Sequence, residues 1–213
     1  MKKFLWLFFV PVLFSFAYVR FQVPKEEWYS LFDGKSLNGW KVGDNAETFS
    51  IKEGCIVAHG NTAHLFYVGD AMNHNFKNFE LTAQVKTMPG SNSGIYFHTQ
   101  YQAGGWPSKG YEVQVNNSHS DWRRTGSLYA VVDEKEQLVK DSVWFTEKIK
   151  VEGKRVQIWV NDKQTVDYTE PDNVQRPDDM KGRVISSGTF ALQGHDPNSI
   201  VYFKDIKVKP LAD

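Results

Sequence analysis

The tightest constraint on this chain is a repeated short alternation of apolar and polar residues, broken by turn signals about every 8–12 residues. The clearest run is Phe79–Thr87, in which Phe79, Leu81, Ala83 and Val85 alternate with Glu80, Thr82, Gln84 and Lys86. Side chains of a strand point to opposite faces with period two, so this pattern buries one face and wets the other. Comparable short runs occur at Thr48–Ile51, Cys55–Ala58, His64–Val68, Gly94–Gln100, Tyr111–Asn117, Val143–Glu152, Lys154–Val160, Gln164–Tyr168, Thr189–Gln193 and Ile200–Val208. Gly54, Gly153 and Asn161-Asp162 supply tight turns between neighbours, as hairpins require. Ser127–Asp133 and Gln137–Lys140 read as a further pair of strands, and Glu170–Gly182 reads as a surface loop. The last strand breaks register near Lys204-Asp205, which predicts a β-bulge. No run outside the N-terminus has helical periodicity. The expectation is an all-β fold, an antiparallel β-sandwich or barrel.

The segment Met1–Ala17 is set apart. Lys2 and Lys3 precede an apolar run to Phe14, and Ser15-Phe16-Ala17 offers small residues for cleavage. The run is shorter than the roughly 20 residues that span a bilayer, so residues 1–17 read as a signal peptide. Residues 18–28 read as a linker and 29–211 as a single domain. Localisation is then periplasmic or secreted, with no stable membrane insertion after the signal is removed. Cys55 is the single cysteine, so no internal disulfide forms, and a chain of this size has core enough without one. Equal numbers of basic and acidic residues, 25 of each, give no general attraction to nucleic acid.

The stretch Ser93–Tyr129 holds most of the candidate chemistry. On its two runs Ile95, Phe97, Tyr111, Val113 and Val115 oppose Tyr96, His98, Gln100, Glu112, Gln114 and Asn116. The second set combines carboxylate, amide, phenol and imidazole, groups that bind hydroxyl-rich molecules. Between the runs, Trp106 sits in Gly104-Gly105-Trp106-Pro107, a setting that suits an aromatic lid or a stacking surface for a sugar. His195 follows Gln193 and Gly194 at a strand end, where backbone can approach a ligand. His98, Glu112 and His195 are candidate metal ligands of mixed nitrogen and oxygen type, so a divalent cation is compatible. His119-Ser120-Asp121 and Arg123-Arg124 read as solvated loop. Beyond Glu112 the next two same-face positions are amides, so the paired carboxylates of ordinary glycoside hydrolysis are absent from this strand. No phosphate loop or dinucleotide fingerprint occurs, and no nucleotide or redox cofactor is expected.

Several blocks in order resemble one family: LFDGKSLNGW (Leu31–Trp40), NSGIYFHTQ (Asn92–Gln100), KGYEVQVNN (Lys109–Asn117), TGSLYAV (Thr125–Val131), VEGKRVQIWVND (Val151–Asp162) and GTFALQGHDPNSIVYFKDIKVKPL (Gly188–Leu211). They are similar to the 3-keto-disaccharide hydrolase domain, also known as domain of unknown function 1080. The resemblance implies a jelly roll of the concanavalin A-like lectin/glucanase type, and a carbohydrate as partner. Many members carry Arg where His98 stands. The implied reaction removes the C2 proton of a 3-keto-glycoside and expels the C1 substituent by β-elimination, with or without re-addition of water. Such chemistry needs a base, an acid and a stabiliser for the enolate oxygen. The resemblance suggests His195 or Glu112 as base, the other as its partner, and Lys109 or a cation as stabiliser. His98, Gln114 and Gln193 would bind hydroxyls, with Trp106, Tyr111 and Tyr129 shaping the pocket. The alternative is a non-catalytic, lectin-like carbohydrate-binding module.

Overall fold

The structure is a computed structural model and describes residues 27–212; the segment read as a signal peptide and most of the linker lie outside the described residues. In chain order the strands are β1 (Tyr29–Ser30), β2 (Trp40–Val42), β3 (Phe49–Lys52), β4 (Cys55–Ala58), β5 (Ala63–Tyr67), β6 (Phe79–Thr87) and β7 (Ser93–Thr99). There follow β8 (Tyr111–Val115), β9 (Phe145–Glu152), β10 (Arg155–Val160), β11 (Lys163–Thr169), β12 (Thr189–Gly194) and β13 (Val201–Pro210). They form two antiparallel sheets. The larger runs β11-β10-β9-β6-β13-β4-β3, with β1 paired to β13, and the smaller runs β2-β5-β12-β7-β8. Every strand pair is antiparallel, so the expected all-β sandwich is what the chain forms.

The apolar faces of the two sheets meet in one core. Leu81, Val85, Ile149, Phe203 and Val208 from the larger sheet pack with Leu65, Ile95, Phe97, Val113 and Leu192 from the smaller. Packing of this kind, at about 25 cal/mol per Å² of apolar surface removed from water, is the main force holding the sheets together. Burial alternates strictly along β6 and nearly so along β9. The expected bulge near Lys204-Asp205 is present: the β13–β6 register shifts between Lys204 and Lys207, and Asp205 has φ 49°.

The smaller sheet departs from simple alternation, because β5, β7, β8 and β12 are buried along their whole length. Their inner residues enter the core, while their outer residues are roofed by loops. One roof is the β7–β8 loop, braced by Gln102, whose Nε2 donates to the carbonyls of Gly104 (2.6 Å) and Trp106 (2.9 Å). A second roof is the segment after β11. The expected surface loop at Glu170–Gly182 is mostly exposed, as read, but it is anchored at its start, where buried Glu170 accepts from the Tyr111 hydroxyl and from the Ile185 N–H. Ser127–Asp133 and Gln137–Lys140 are not strands; they make turns and isolated bridges, Leu128 reaching both Val113 and Val132. Their apolar residues still reach inward, Leu128 within the main core and Val131, Val132, Leu138 and Val139 packed against it.

Candidate active site

The outer face of the smaller sheet and its loop roof enclose a cleft of about 380 Å³. Its floor comes from three adjacent strands: Tyr96 on β7, Glu112 and Gln114 on β8, and Gln193 at the end of β12. Cross-strand register sets these side by side, since Tyr96 faces Glu112 across the β7–β8 ladder. A Cβ at position 94 would lie 2.6 Å from Glu112 Oε1, so glycine there is what leaves room for the carboxyl. Trp106 covers one side, its ring 5.4 Å from His64 and 5.7 Å from His195, with half its surface still exposed at 52%.

Glu112 is buried but well partnered. Its Oε1 accepts from Gln193 Nε2 at 2.8 Å, and its Oε2 lies 3.5 Å from Arg183. The Gln193 amide also donates to the Tyr96 hydroxyl at 3.1 Å. Burial raises the Glu112 pKa above the ordinary carboxyl value, opposed by the Arg183 charge and by hydrogen bonds from Tyr96 and Gln193. Arg183 also donates to the Tyr129 carbonyl at 2.9 Å and lies over the Tyr129 ring at 4.8 Å. It is therefore held as a fixed positive charge beside Glu112.

At the β12 end of the cleft, His195 Nδ1 is 2.8 Å from Asp196 Oδ2. Asp196 also accepts from the Ser199 hydroxyl (2.7 Å) and the Asn198 N–H (2.8 Å). Burial pushes the Asp196 pKa up, but these hydrogen bonds and His195 outweigh it and hold the group below its usual value. The His119 ring lies 5.5 Å from that of His195, and its Nδ1 accepts the Asp121 N–H at 3.0 Å. One ligating atom from each of His119, His195 and Asp196 falls within 4.8 Å of the others.

The structure thus brings together Glu112, Gln114, Gln193, Trp106, Tyr129 and His195, and adds Asn92, Asp121 and Arg183. Three expected site residues lie elsewhere. His98 is fully buried, its Nε2 bonded to the Lys77 carbonyl (2.8 Å) and its Nδ1 to the Ser186 N–H (3.3 Å). With φ 55° it breaks the alternation of β7 and turns onto the Phe79 and Phe97 rings, 5.7 and 5.2 Å away. The candidate metal set His98, Glu112 and His195 is therefore not assembled. Lys109 precedes β8 and faces a separate cleft beside Thr99, Tyr101 and Ser187, its Nζ bonded to the Ser187 carbonyl at 3.0 Å. Tyr111 obeys its parity with Val113 and Val115, stacking on Phe97 at 5.5 Å in the core, so it does not shape the pocket.

Arg183 had no sequence signal, because nothing local connects it with β8, seventy-one residues earlier. Tyr96 was legible from its parity with Glu112's face. His119 and Asp121, read as solvated, are drawn in by Asn116, whose Oδ1 accepts the His119 N–H at 2.9 Å.

Known proteins agree with this architecture. A 3-keto-disaccharide hydrolase of Bacteroides thetaiotaomicron is 28% identical, over 70% of this chain and 61% of that protein. The chain therefore spans less than two thirds of the length of this curated relative. A candidate glycosyl hydrolase from Parabacteroides distasonis superposes with a TM-score of 0.71 at 24% identity, covering 86% of this chain and 94% of that one. The carbohydrate-binding module CBM66 from Bacillus subtilis superposes at 0.58 with 14% identity, over 80% and 95% of the two chains. These two likenesses establish the sandwich fold. The model of the 3-keto-α-glucoside-1,2-lyase-like domain matches residues 27–209, and the chain belongs to that family.

Proposed function

We propose that the cleft cleaves 3-keto-glycosides by removing the C2 proton and eliminating the C1 substituent, with water free to add back afterwards. The observation that carries this reading is the meeting of an imidazole, a buried carboxyl and a guanidinium in one cleft: His195, Glu112 and Arg183. His195 acts as the base. Glu112, whose burial favours the protonated form, gives its proton to the departing oxygen. Arg183 takes the part first expected of Lys109, stabilising the enolate oxygen by its charge. Gln114 and Gln193 meet sugar hydroxyls, and Trp106 closes over the ring. The B. thetaiotaomicron relative's name, 3-keto-disaccharide hydrolase, is consistent with this substrate class.

The test is incubation with methyl 3-keto-glucoside, following release of methanol and of an unsaturated 3-keto sugar. Turnover is expected in the wild type and lost in His195→Ala. Binding of the sugar with no product would favour the carbohydrate-binding module instead. The protein is also proposed to be exported, with residues 1–17 removed and the remainder acting as one domain. Mass spectrometry of the chain recovered from the periplasm or medium checks this, and an intact Met1 there would refute it.

A further inference from the structure

We infer that Asp196 is the positioning residue for His195, and that the cluster of His119, His195 and Asp196 is an oriented base rather than a metal centre. The inference deepens the proposed proton abstraction and rests on it for its kinetic arm only.

Which ring nitrogens carry protons decides what the cluster can do. An ionised carboxylate can only accept a hydrogen bond, and Asp196 is held ionised by Ser199, His195 and Asn198. The 2.8 Å contact to His195 Nδ1 therefore places a proton on Nδ1 and, in the neutral ring, leaves Nε2 with its lone pair. The backbone is fixed as well, because the Thr62 hydroxyl donates to the His195 carbonyl at 2.7 Å. This is how an acidic neighbour makes an imidazole a directed base.

His119 is set the opposite way. A backbone N–H can only donate, so the 3.0 Å contact from Asp121 places the lone pair on His119 Nδ1 and, in the neutral ring, the proton on Nε2. To ligate a metal through Nε2, the ring would have to move that proton to Nδ1, where the Asp121 N–H already points. Histidine ligands in metal sites instead donate their second nitrogen outward. Of the three residues close enough to share an ion, His119 has its lone pair turned to the Asp121 N–H, His195 Nδ1 is turned to Asp196, and the Asp196 oxygens already accept from Asn198 and Ser199, whereas a zinc site needs three or four ligands with free lone pairs.

In the reaction, Nε2 takes the C2 proton and the C–H electron pair becomes the C2–C3 π bond. The ketone oxygen takes the negative charge, and the imidazolium formed rests against the Asp196 carboxylate.

Long-range proton–nitrogen NMR on the histidine-labelled wild type should show Nδ1–H at His195 and Nε2–H at His119, and calorimetry with Zn²⁺ should show no stoichiometric binding. An Nε2–H tautomer at His195, or one Zn²⁺ bound per chain, overturns the inference. These arms need no turnover, so they stand even if 3-keto-glycosides are not substrates. With methyl 3-keto-glucoside, Asp196→Asn should lower kcat by about 10²–10⁴-fold while KM moves only a few-fold. A folded Asp196→Asn variant with kcat within about three-fold of wild type also overturns it.

Discussion

The two sheets use their outer faces differently, and each hides one acidic side chain. In the larger sheet, strands such as β6 alternate a buried residue with a half-buried one, so the outer face is in partial contact with water. In the smaller sheet both faces are covered, one by the core and one by loops. Glu112 lies on the loop-covered face with Gln193, Tyr96 and Arg183 as partners. Glu147 lies on β9 between Phe145 and Ile149, on the core side, and neither of its carboxyl oxygens has a hydrogen-bond partner. Burial raises both pKa values, that of Glu147 well above the ordinary value. The opposing Gly126 N–H is itself held by the Gln114 carbonyl at 3.0 Å. The contrast teaches that burial alone makes an acid reluctant to ionise. A polar surround beside a cleft is what lets it exchange its proton in a reaction.

The comparison breaks most sharply on activity. Glu112→Gln should cost on the order of 10³-fold or more in turnover of a 3-keto-glycoside, within the range for positioned acid–base groups. Its melting temperature should stay within a few degrees, since the amide fits the same space. Equal loss from Glu147→Gln would erase the distinction between the two acids.

Acid titration probes the doubly covered smaller sheet next, on which both buried histidines lie. His64 and His98 both have pKa values lowered to about 4, chiefly by burial. Each therefore stays neutral in the fold while the unfolded chain takes up protons below about 6.5. Their stabilising contribution is full above that pH and is lost as pH falls through 4. At most it amounts to roughly 3 kcal/mol apiece. Urea unfolding between pH 7 and 4 should show this slope, and His98→Asn should reduce it.

Glu147 titrates with the opposite sign. Its folded pKa lies above the unfolded one, so stability falls as pH rises from about 4.5 toward the folded value. Glu147→Leu should flatten that slope and stabilise the protein at neutral pH by about 1–3 kcal/mol, because an unsatisfied buried group is removed. Activity should not change.

The smallest effect concerns Tyr111. Its hydroxyl donates to Glu170 and accepts from Arg176 at 2.8 Å, so Tyr111→Phe should cost about 1 kcal/mol of stability. KM should be unaltered. A raised KM would return Tyr111 to the pocket.

Where side chains obey period two, the sequence was readable to the residue. The hairpin at Lys52-Glu53-Gly54 and the turn at Asn161-Asp162 stand as read. Glu112, Gln114 and Gln193 share a face because strand parity and antiparallel pairing put them there. The reading failed at His98 because a single left-handed residue reverses parity. Backbone packs closely there: a Cβ at Gly110 or Gly188 would come within 2.9 Å of the His98 carbonyl. Alternation records hydropathy and carries no trace of such a turn.

What the amino-acid order determined by itself was most of the strands, their inward faces and the polar row on β8, since these follow from local sterics and from the cost of wetting apolar surface. Only the tertiary structure decided the rest. Loops with no periodicity roofed the smaller sheet, brought Arg183 to Glu112, and set the Asp196 carboxylate against the His195 imidazole. Those contacts join residues far apart in the chain, or depend on backbone angles. Their energies come from pairing charges and hydrogen bonds that exist only after the sheets have closed.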